Sequence, residues 1–199
     1  MARVMNTVQN PIVAALGPAF ADLPNALQKL HSGTDVRRYS GRTVVKHGPS
    51  VIARILLRLG GFPPQGSGLP LRFTITPDAQ GEAWARDFDG HVTQSRLRAG
   101  KAGQVIERFG PFHITMQPVA TPTSLSFPVV AIHCLGFALP RRLLPKNPSY
   151  ESVDASGAVI FDIGAELPVL GPLIGYRGTL RSEACDAEAA APALSTRAT

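Results

Sequence analysis

A chain of 199 residues, of which 44% are hydrophobic and 17% charged, has the composition of one soluble globular domain, which excludes a disordered or multispan membrane protein. Its formal net charge of +6 comes from basic residues scattered along the sequence, without the zinc-finger, aromatic or basic-helix motifs of nucleic-acid-binding proteins. Two cysteines form no disulfide framework and predict a cytoplasmic protein, while 19 glycines and 18 prolines favour short strands and turns over long helices.

Two helices are predicted in the N-terminal part of the chain. Leucines at helical spacing predict a short N-terminal helix over residues 25–31. The main helix is predicted over residues 49–60, because a proline stands near its start and Gly60-Gly61 at its end. We expect an apolar stripe on this helix to pack on the core, with two arginines on the opposite side. The stripe consists of Val51, Ile52, Ile55, Leu56 and Leu59, and the arginines are Arg54 and Arg58.

Strand patterns dominate the rest of the chain and are separated by turn residues such as Asp89-Gly90 and Ala99-Gly100. They cover residues 42–46, 71–76, 82–88, 92–98, 104–109, 112–118, 125–135, 159–167 and 173–180. The fold class predicted is β-rich α+β. We expect an antiparallel meander of about eight or nine strands that forms a curved sheet or open barrel, with the main helix packed on it.

A long stretch without Asp, Glu, Lys or Arg runs from Phe109 to Pro140. Four prolines interrupt it, so no run of about 18 apolar residues exists and no integral membrane segment is predicted. We interpret the stretch as two buried strands with a loop between them. For the whole chain we predict a single domain over residues 16–181, an N-terminal extension over 1–15, and a disordered Ala-rich tail over 182–199.

The segment from Trp84 to Gly90 raises a question of function. In a strand, Trp84, Arg86 and Phe88 lie on one face, which sets an arginine between two large aromatic residues. A buried guanidinium needs a partner. Glu107 on a neighbouring strand is the candidate for an ion pair, and the alternative is that Arg86 anchors an anionic ligand in an aromatic-walled pocket.

In the order and number of its motifs, the chain resembles the DUF4166 family, a bacterial domain of unknown function. The residues that carry the resemblance are Leu16 to Phe20, Leu23-Pro24, Leu30-His31, Gly41, Val44 to Gly48, Leu59 to Pro64, Trp84 to Gly90, Ser95 to Leu97, Glu107 to Gly110, Leu135-Gly136, Leu139-Pro140, Leu143 to Pro145, Glu151, Phe161, Leu167-Pro168, Leu170-Gly171 and Tyr176 to Gly178. Arg142 and Thr179 depart from the family pattern, because aromatic residues are common at both positions.

The resemblance implies a domain that occurs alone or joined to NAD(P)-dependent, Rossmann-type oxidoreductase domains. It therefore implies an accessory role beside an oxidoreductase partner. The chain itself has no G-x-G-x-x-G motif between a strand and a helix, so we predict no cofactor of its own.

Three functions follow from the residues and the resemblance. The leading hypothesis is a non-catalytic binding module for a small hydrophobic or lipid-like anionic molecule. Its predicted ligand-binding residues are Trp84, Arg86, Phe88, Arg96, Glu107, Phe161 and Tyr176. The alternative is an accessory or interaction domain of an NAD(P)-dependent oxidoreductase. A third hypothesis is a cofactor-free isomerase or hydrolase built around His31, Glu107 or Tyr176, although no catalytic motif supports it and no histidine or cysteine spacing predicts a metal site.

Overall fold

The described part of the chain is dominated by one antiparallel sheet. The computed structural model describes residues 9–145, 149–168 and 171–183. Within these residues 13 strands are hydrogen-bonded in the order β10-β9-β6-β5-β4-β3-β2-β1-β13-β12-β11-β8-β7, and the sheet curls into a half-barrel. The strands are β1 Arg37–His47, β2 Gly66–Asp78, β3 Gly81–Phe88, β4 His91–Ala99, β5 Val105–Phe109, β6 Phe112–Met116, β7 Val119–Ala120, β8 Ser124–Phe127, β9 Val129–Cys134, β10 Phe137–Ala138, β11 Ser149–Val153, β12 Val159–Leu167 and β13 Gly171–Ser182.

Three short α-helices accompany the sheet within residues 9–145. They are α1 Pro11–Leu16, α2 Asn25–His31 and α3 Val51–Gly60, and two 3₁₀ helices cover Gly17–Asp22 and Arg141–Leu143. Gly61 ends α3 in the left-handed conformation, with φ at 67°, and its N–H donates to the carbonyl of Arg58. None of the described helices combines the length and the apolar character needed to span a bilayer.

The curl of the sheet follows from how the chain connects its two ends. Only Gln117 and Pro118 separate β6 from β7, and only Pro128 separates β8 from β9. However, β6 and β9 pair near one end of the sheet, whereas β7 and β8 pair at the other. The chain can pass between the two ends within one or two residues only because the sheet bends round and brings those ends together. The concave face of the sheet therefore surrounds an interior.

The β-rich antiparallel architecture is confirmed, and the number of strands is larger than predicted. The stretch 125–135, predicted as one strand, is two strands, because Pro128 has no N–H for the ladder and the backbone changes partners there. The short strands β7 and β10 and the strand β11 were not predicted. The strand β11 follows a proline-rich segment, and its inward-facing residues Ser149 and Glu151 are polar, so the sequence shows no alternation of apolar and polar residues there.

The prediction for the packing of the main helix was wrong. The residues of α3 that are buried are Ala53, Leu57 and Gly60. Of the predicted stripe, Leu56 is half-buried, and Val51, Ile52, Ile55 and Leu59 are exposed. The C-terminal end of the helix approaches the sheet closely at Gly60, because a Cβ there would lie 3.3 Å from the ring of Phe112 on β6. The apolar stripe exists, but it faces outward.

The helices lie at opposite ends of the half-barrel. At the Gly81 end of β3, Gln9 donates its N–H to the carbonyl of Asp78, and α1 packs against β4 and β5. At the Phe88 end, α3 contacts β13, and its C-terminal loop accepts a hydrogen bond from His91 at the carbonyl of Gly61. The α1 residue Ile12 is fully buried in the core, so the described part of the predicted N-terminal extension packs on the domain. The predicted tail lies outside the described residues from residue 184 onward.

Candidate functional site

A cavity of about 370 Å³ lies inside the half-barrel. Aromatic and aliphatic side chains from most strands line it, and polar side chains interrupt this wall at Arg86, Glu107, Ser149, Glu151 and Tyr176. Its volume is in the range of small-molecule sites, and an apolar wall with few polar groups is typical of sites that bind amphipathic ligands.

The cavity opens at the α3 end. Lining residues at the end where α1 and α2 lie, such as Trp84, Leu97 and Phe127, are buried. Lining residues that belong to α3 and to the loops around it are half-buried, and these are Leu56, Phe62, Phe112, Leu139 and Leu167. A ligand would therefore enter beside α3 and reach the polar groups from there.

Arg86 is held in place from β4, the strand next to its own, and from β5, one strand further along the sheet. It donates from Nη1 to the hydroxyl of Ser95 at 3.0 Å and from Nη2 to Oε1 of Glu107 at 3.3 Å. Its guanidinium carbon also lies 5.3 Å from the ring centre of Phe73 and 5.0 Å from that of Trp84. The ion pair predicted from the sequence is therefore present, and it lies in the wall of the cavity. These two bonds leave N–H groups of the guanidinium without an acceptor among the described residues.

Burial and charge act in opposite directions on Arg86. Burial alone would lower the pKa of Arg86, but the pKa is raised, because Tyr176, which is ionised at the strongly alkaline pH where a guanidinium titrates, and Glu107 favour the charged form. Arg86 is therefore a permanent cation at the cavity wall.

Tyr176 contributes a phenol hydroxyl to the same region. Its ring packs edge-on against Phe88, with ring centres 5.9 Å apart, and is tilted against Phe161 at 6.1 Å. Burial raises the pKa of Tyr176, and this effect outweighs the opposing influence of Arg86. The phenol is thus a neutral hydrogen-bond donor at physiological pH.

This shift predicts a loss of stability at high pH. Because the pKa of Tyr176 is higher in the folded chain than its ordinary value of 10.0, the unfolded chain loses the phenol proton first as pH rises. The contribution of Tyr176 to the free energy of unfolding is therefore complete below pH about 10 and is lost as pH rises above it. Urea unfolding from neutral to strongly alkaline pH should show a steeper decline for the native chain than for Tyr176→Phe. Parallel pH profiles for the two proteins would contradict the shift.

A second polar network fixes Trp84. The carboxylate of Glu82 is fully buried and accepts from Trp84 Nε1 at 2.8 Å through one oxygen and from Arg37 Nη2 at 2.6 Å through the other. Arg37 also donates to the carbonyl of Leu30 at 2.7 Å, near the end of α2. Both oxygens of Glu82 are therefore satisfied, and the indole ring has a defined orientation in the cavity wall.

A third pair joins α2 to the sheet. His31 is fully buried, and its Nε2 lies 2.5 Å from Oε2 of Glu151 on β11. The ring of His31 packs at 6.0 Å from Trp84 and 6.4 Å from Phe127. Glu151 lines the cavity, but His31 lies behind it. His31 therefore positions Glu151 and has no direct access to a ligand.

The structure brings together five of the seven ligand-binding residues predicted from the sequence. Those that line the cavity are Trp84, Arg86, Glu107, Phe161 and Tyr176. Phe88 is buried beside the ring of Tyr176 and is not part of the lining. Arg96 lies apart from the others. It is paired in the sheet with Ala83, whose side chain points to the face opposite Trp84, and it binds Asp78 at 2.5 Å near the exposed surface.

Sequence reasoning missed Glu151, Ser95 and Phe73 as parts of the site. Glu151 was named only among the residues that carry the family resemblance, because the strand on which it lies was not predicted. Ser95 and Phe73 stand on strands that were predicted, and the alternation of faces from Trp84 would have placed Ser95 inward.

A comparison with family models confirms the resemblance that the sequence motifs indicated. No curated protein matches the chain. A sequence model of a family described as "Domain of unknown function (DUF4166)" matches residues 23–180, which include the described walls of the cavity and the pairs Arg86–Glu107 and His31–Glu151. Because this match spans well over half of the sequence, the chain belongs to the DUF4166 family.

Proposed function

We propose that this chain is a non-catalytic binding module for a small hydrophobic molecule with an anionic head. The observation that carries the proposal is an apolar cavity whose wall holds one permanent cation with unused donors. The hydrocarbon part of the ligand would occupy the aromatic and aliphatic interior. Its head would accept hydrogen bonds from Arg86 and from the hydroxyl of Tyr176.

The guanidinium is pre-organised for this role. Ser95 and Glu107 fix its two terminal nitrogens, and the rings of Phe73 and Trp84 flank it. A ligand that binds there pays little for ordering a long, flexible side chain, which supports useful affinity from few contacts.

Two acidic residues of the site, Glu107 and Glu151, would repel an anionic head, but both already have partners. Glu107 accepts from Arg86, and Glu151 is held by His31. The donors of Arg86 and Tyr176 are the groups that remain for a ligand head. We therefore expect a hydrogen-bond acceptor with negative charge to be preferred over a neutral alcohol or an ammonium group.

The preference can be measured with Trp84, the only tryptophan of the chain, which lies in the cavity wall. Fluorescence titrations with dodecanoate, dodecanol and dodecylammonium compare three heads on one chain length. We expect dodecanoate to bind about tenfold more tightly than dodecanol, since a charge-assisted hydrogen bond contributes about 1.5–3 kcal/mol. Dodecylammonium should bind more weakly than either.

Two variants test the role of Arg86 in this preference. The double variant Arg86→Met/Glu107→Gln removes both charges of the pair without changing the net charge of the site, and it should bind dodecanoate and dodecanol alike. Arg96→Met removes an arginine that lies outside the cavity, so it should keep the preference of the native chain. Binding of none of the three compounds, or tighter binding of the ammonium, would contradict the proposed function.

A further inference from the structure

A group of large apolar side chains is exposed around the opening of the cavity. On α3 the exposed fractions are 60% for Val51, 52% for Ile52, 54% for Ile55 and 69% for Leu59. On the hairpin formed by β9 and β10 they are 76% for Leu135 and 78% for Phe137. We call these six residues the apolar platform. Exposed apolar groups of this size, gathered at one end of a protein, mark an interaction surface.

The two parts of the platform belong to the same end of the molecule. Leu135 donates its N–H to the carbonyl of Pro111 at 3.0 Å, which places the hairpin beside the turn between β5 and β6. That turn also contacts the C-terminal end of α3, because a Cβ on Gly60 would lie 3.3 Å from the ring of Phe112. The half-buried lining residues of the cavity, including Leu56 and Leu139, come from the same two segments. The platform therefore borders the opening.

The charges around the platform are predominantly positive. Arg54 and Arg58 are exposed on α3, beside its apolar stripe, and Arg141 and Arg142 are exposed in the 3₁₀ helix that follows the hairpin. The sequence contains no Asp or Glu in residues 36–77 or 108–150, which carry both parts of the platform. The acidic residues at this end are Asp89, in the turn between β3 and β4, and Glu166, near the turn between β12 and β13. A helix with an outward apolar stripe flanked by arginines is typical of segments that lie in the interface of an anionic membrane.

We propose that the apolar platform docks on an anionic phospholipid bilayer, with the opening of the cavity turned toward the lipid. The platform side chains would enter the boundary between headgroups and acyl chains, and the four arginines would contact lipid phosphates. The docking goes beyond the proposed function and does not depend on a bound ligand. If both hold, an amphipathic molecule passes between the bilayer and the cavity without crossing water.

Co-sedimentation of the full chain with vesicles tests the docking, and no cavity ligand is added. Binding is compared between phosphatidylcholine vesicles and vesicles that also contain phosphatidylglycerol, at low and high salt. We expect the anionic vesicles to be preferred and the preference to fall with salt. Ile55→Gln/Leu59→Gln should weaken partition at least about tenfold through lost apolar burial. Arg54→Gln/Arg58→Gln should weaken it by about tenfold or more and reduce the salt dependence.

Matched controls lie at the other end of the molecule. Val119→Gln removes an exposed apolar residue from β7, and Arg38→Gln/Arg98→Gln removes two exposed arginines from β1 and β4. Both should bind vesicles like the native chain. Equal binding by the platform variants and the controls would overturn the proposal. A self-association that Ile55→Gln/Leu59→Gln abolishes, without vesicle binding by the native chain, would overturn it in favour of a second copy. Capture of a partner oxidoreductase without vesicle binding would likewise overturn it.

Discussion

Replacement of Arg86 by methionine is expected to lower the free energy of unfolding by about 3 kcal/mol. The side chains of Arg86 and Glu107 are only 11% and 15% exposed, so the variant leaves a carboxylate in the cavity wall without its cation. Ser95 also loses its hydrogen bond from Nη1. Glu107→Gln should cost less, about 1 kcal/mol, because an amide oxygen still accepts from the guanidinium. Urea unfolding followed by circular dichroism measures both.

The double variant Arg86→Met/Glu107→Gln separates an ion pair from two independent contributions. In Arg86→Met the carboxylate of Glu107 is buried without its cation, and Glu107→Gln removes that charge. We therefore expect the double variant to be more stable than Arg86→Met alone. The coupling should be about 1–2 kcal/mol. The pair Arg96→Met and Asp78→Asn is the matched control. That ion pair is largely exposed, at 37% and 47%, and should contribute less than about 1 kcal/mol. Additive effects at Arg86 and Glu107 would contradict the coupling.

Helices and strands whose bounds are set by residues close to one another in the sequence could be predicted. The helix α2 has the predicted bounds, and α3 ends where Gly60-Gly61 indicated, because glycine adopts the left-handed conformation that terminates a helix. The strands β3 and β12 also match closely. The pairing of Arg86 with Glu107 could be predicted because β3 and β5 are separated by only one strand, β4, and because alternation places both side chains on the same face.

The packing of α3 could not be predicted in the same way. Helical periodicity identifies an apolar stripe, but it does not specify whether that stripe meets the core or an exterior surface. Here Ala53, Leu57 and Gly60 provide the close approach to the sheet, and the larger residues face outward. The rule that apolar faces are buried therefore fails at α3, which borders the cavity opening. Such rules are expected to fail at functional surfaces.

The partners of the His31–Glu151 pair were unpredictable for a different reason. His31 and Glu151 are separated by 120 residues, and they meet only because α2 packs beside β11 at one end of the half-barrel. No local pattern reports such a contact, and β11 itself was not predicted. The sequence motifs that included both residues indicated that each mattered, but not that they touch.

The His31–Glu151 pair leads to the last prediction. Replacement of His31 by leucine should lower the free energy of unfolding by about 3 kcal/mol, because Glu151, which is 7% exposed, loses the partner of its carboxylate. Glu151→Gln should cost about 1 kcal/mol, since the amide still forms a hydrogen bond with the imidazole. Thermal and urea unfolding of both variants provide the measurement.

The double variant His31→Leu/Glu151→Leu is expected to be at least as stable as the native chain. His31 Nδ1 is buried and has no hydrogen-bond partner among the described residues, so the native pair keeps an unsatisfied polar atom. Replacement of both partners of a buried polar pair by apolar residues of similar volume can be nearly neutral or stabilising. Glu151 faces Phe161 and Leu125 across its neighbouring strands, and both would accept a leucine. A double variant less stable than His31→Leu would show that the pair is retained for the fold. A stable double variant with altered ligand preference would show that the pair is retained for the polar group that it presents to the cavity.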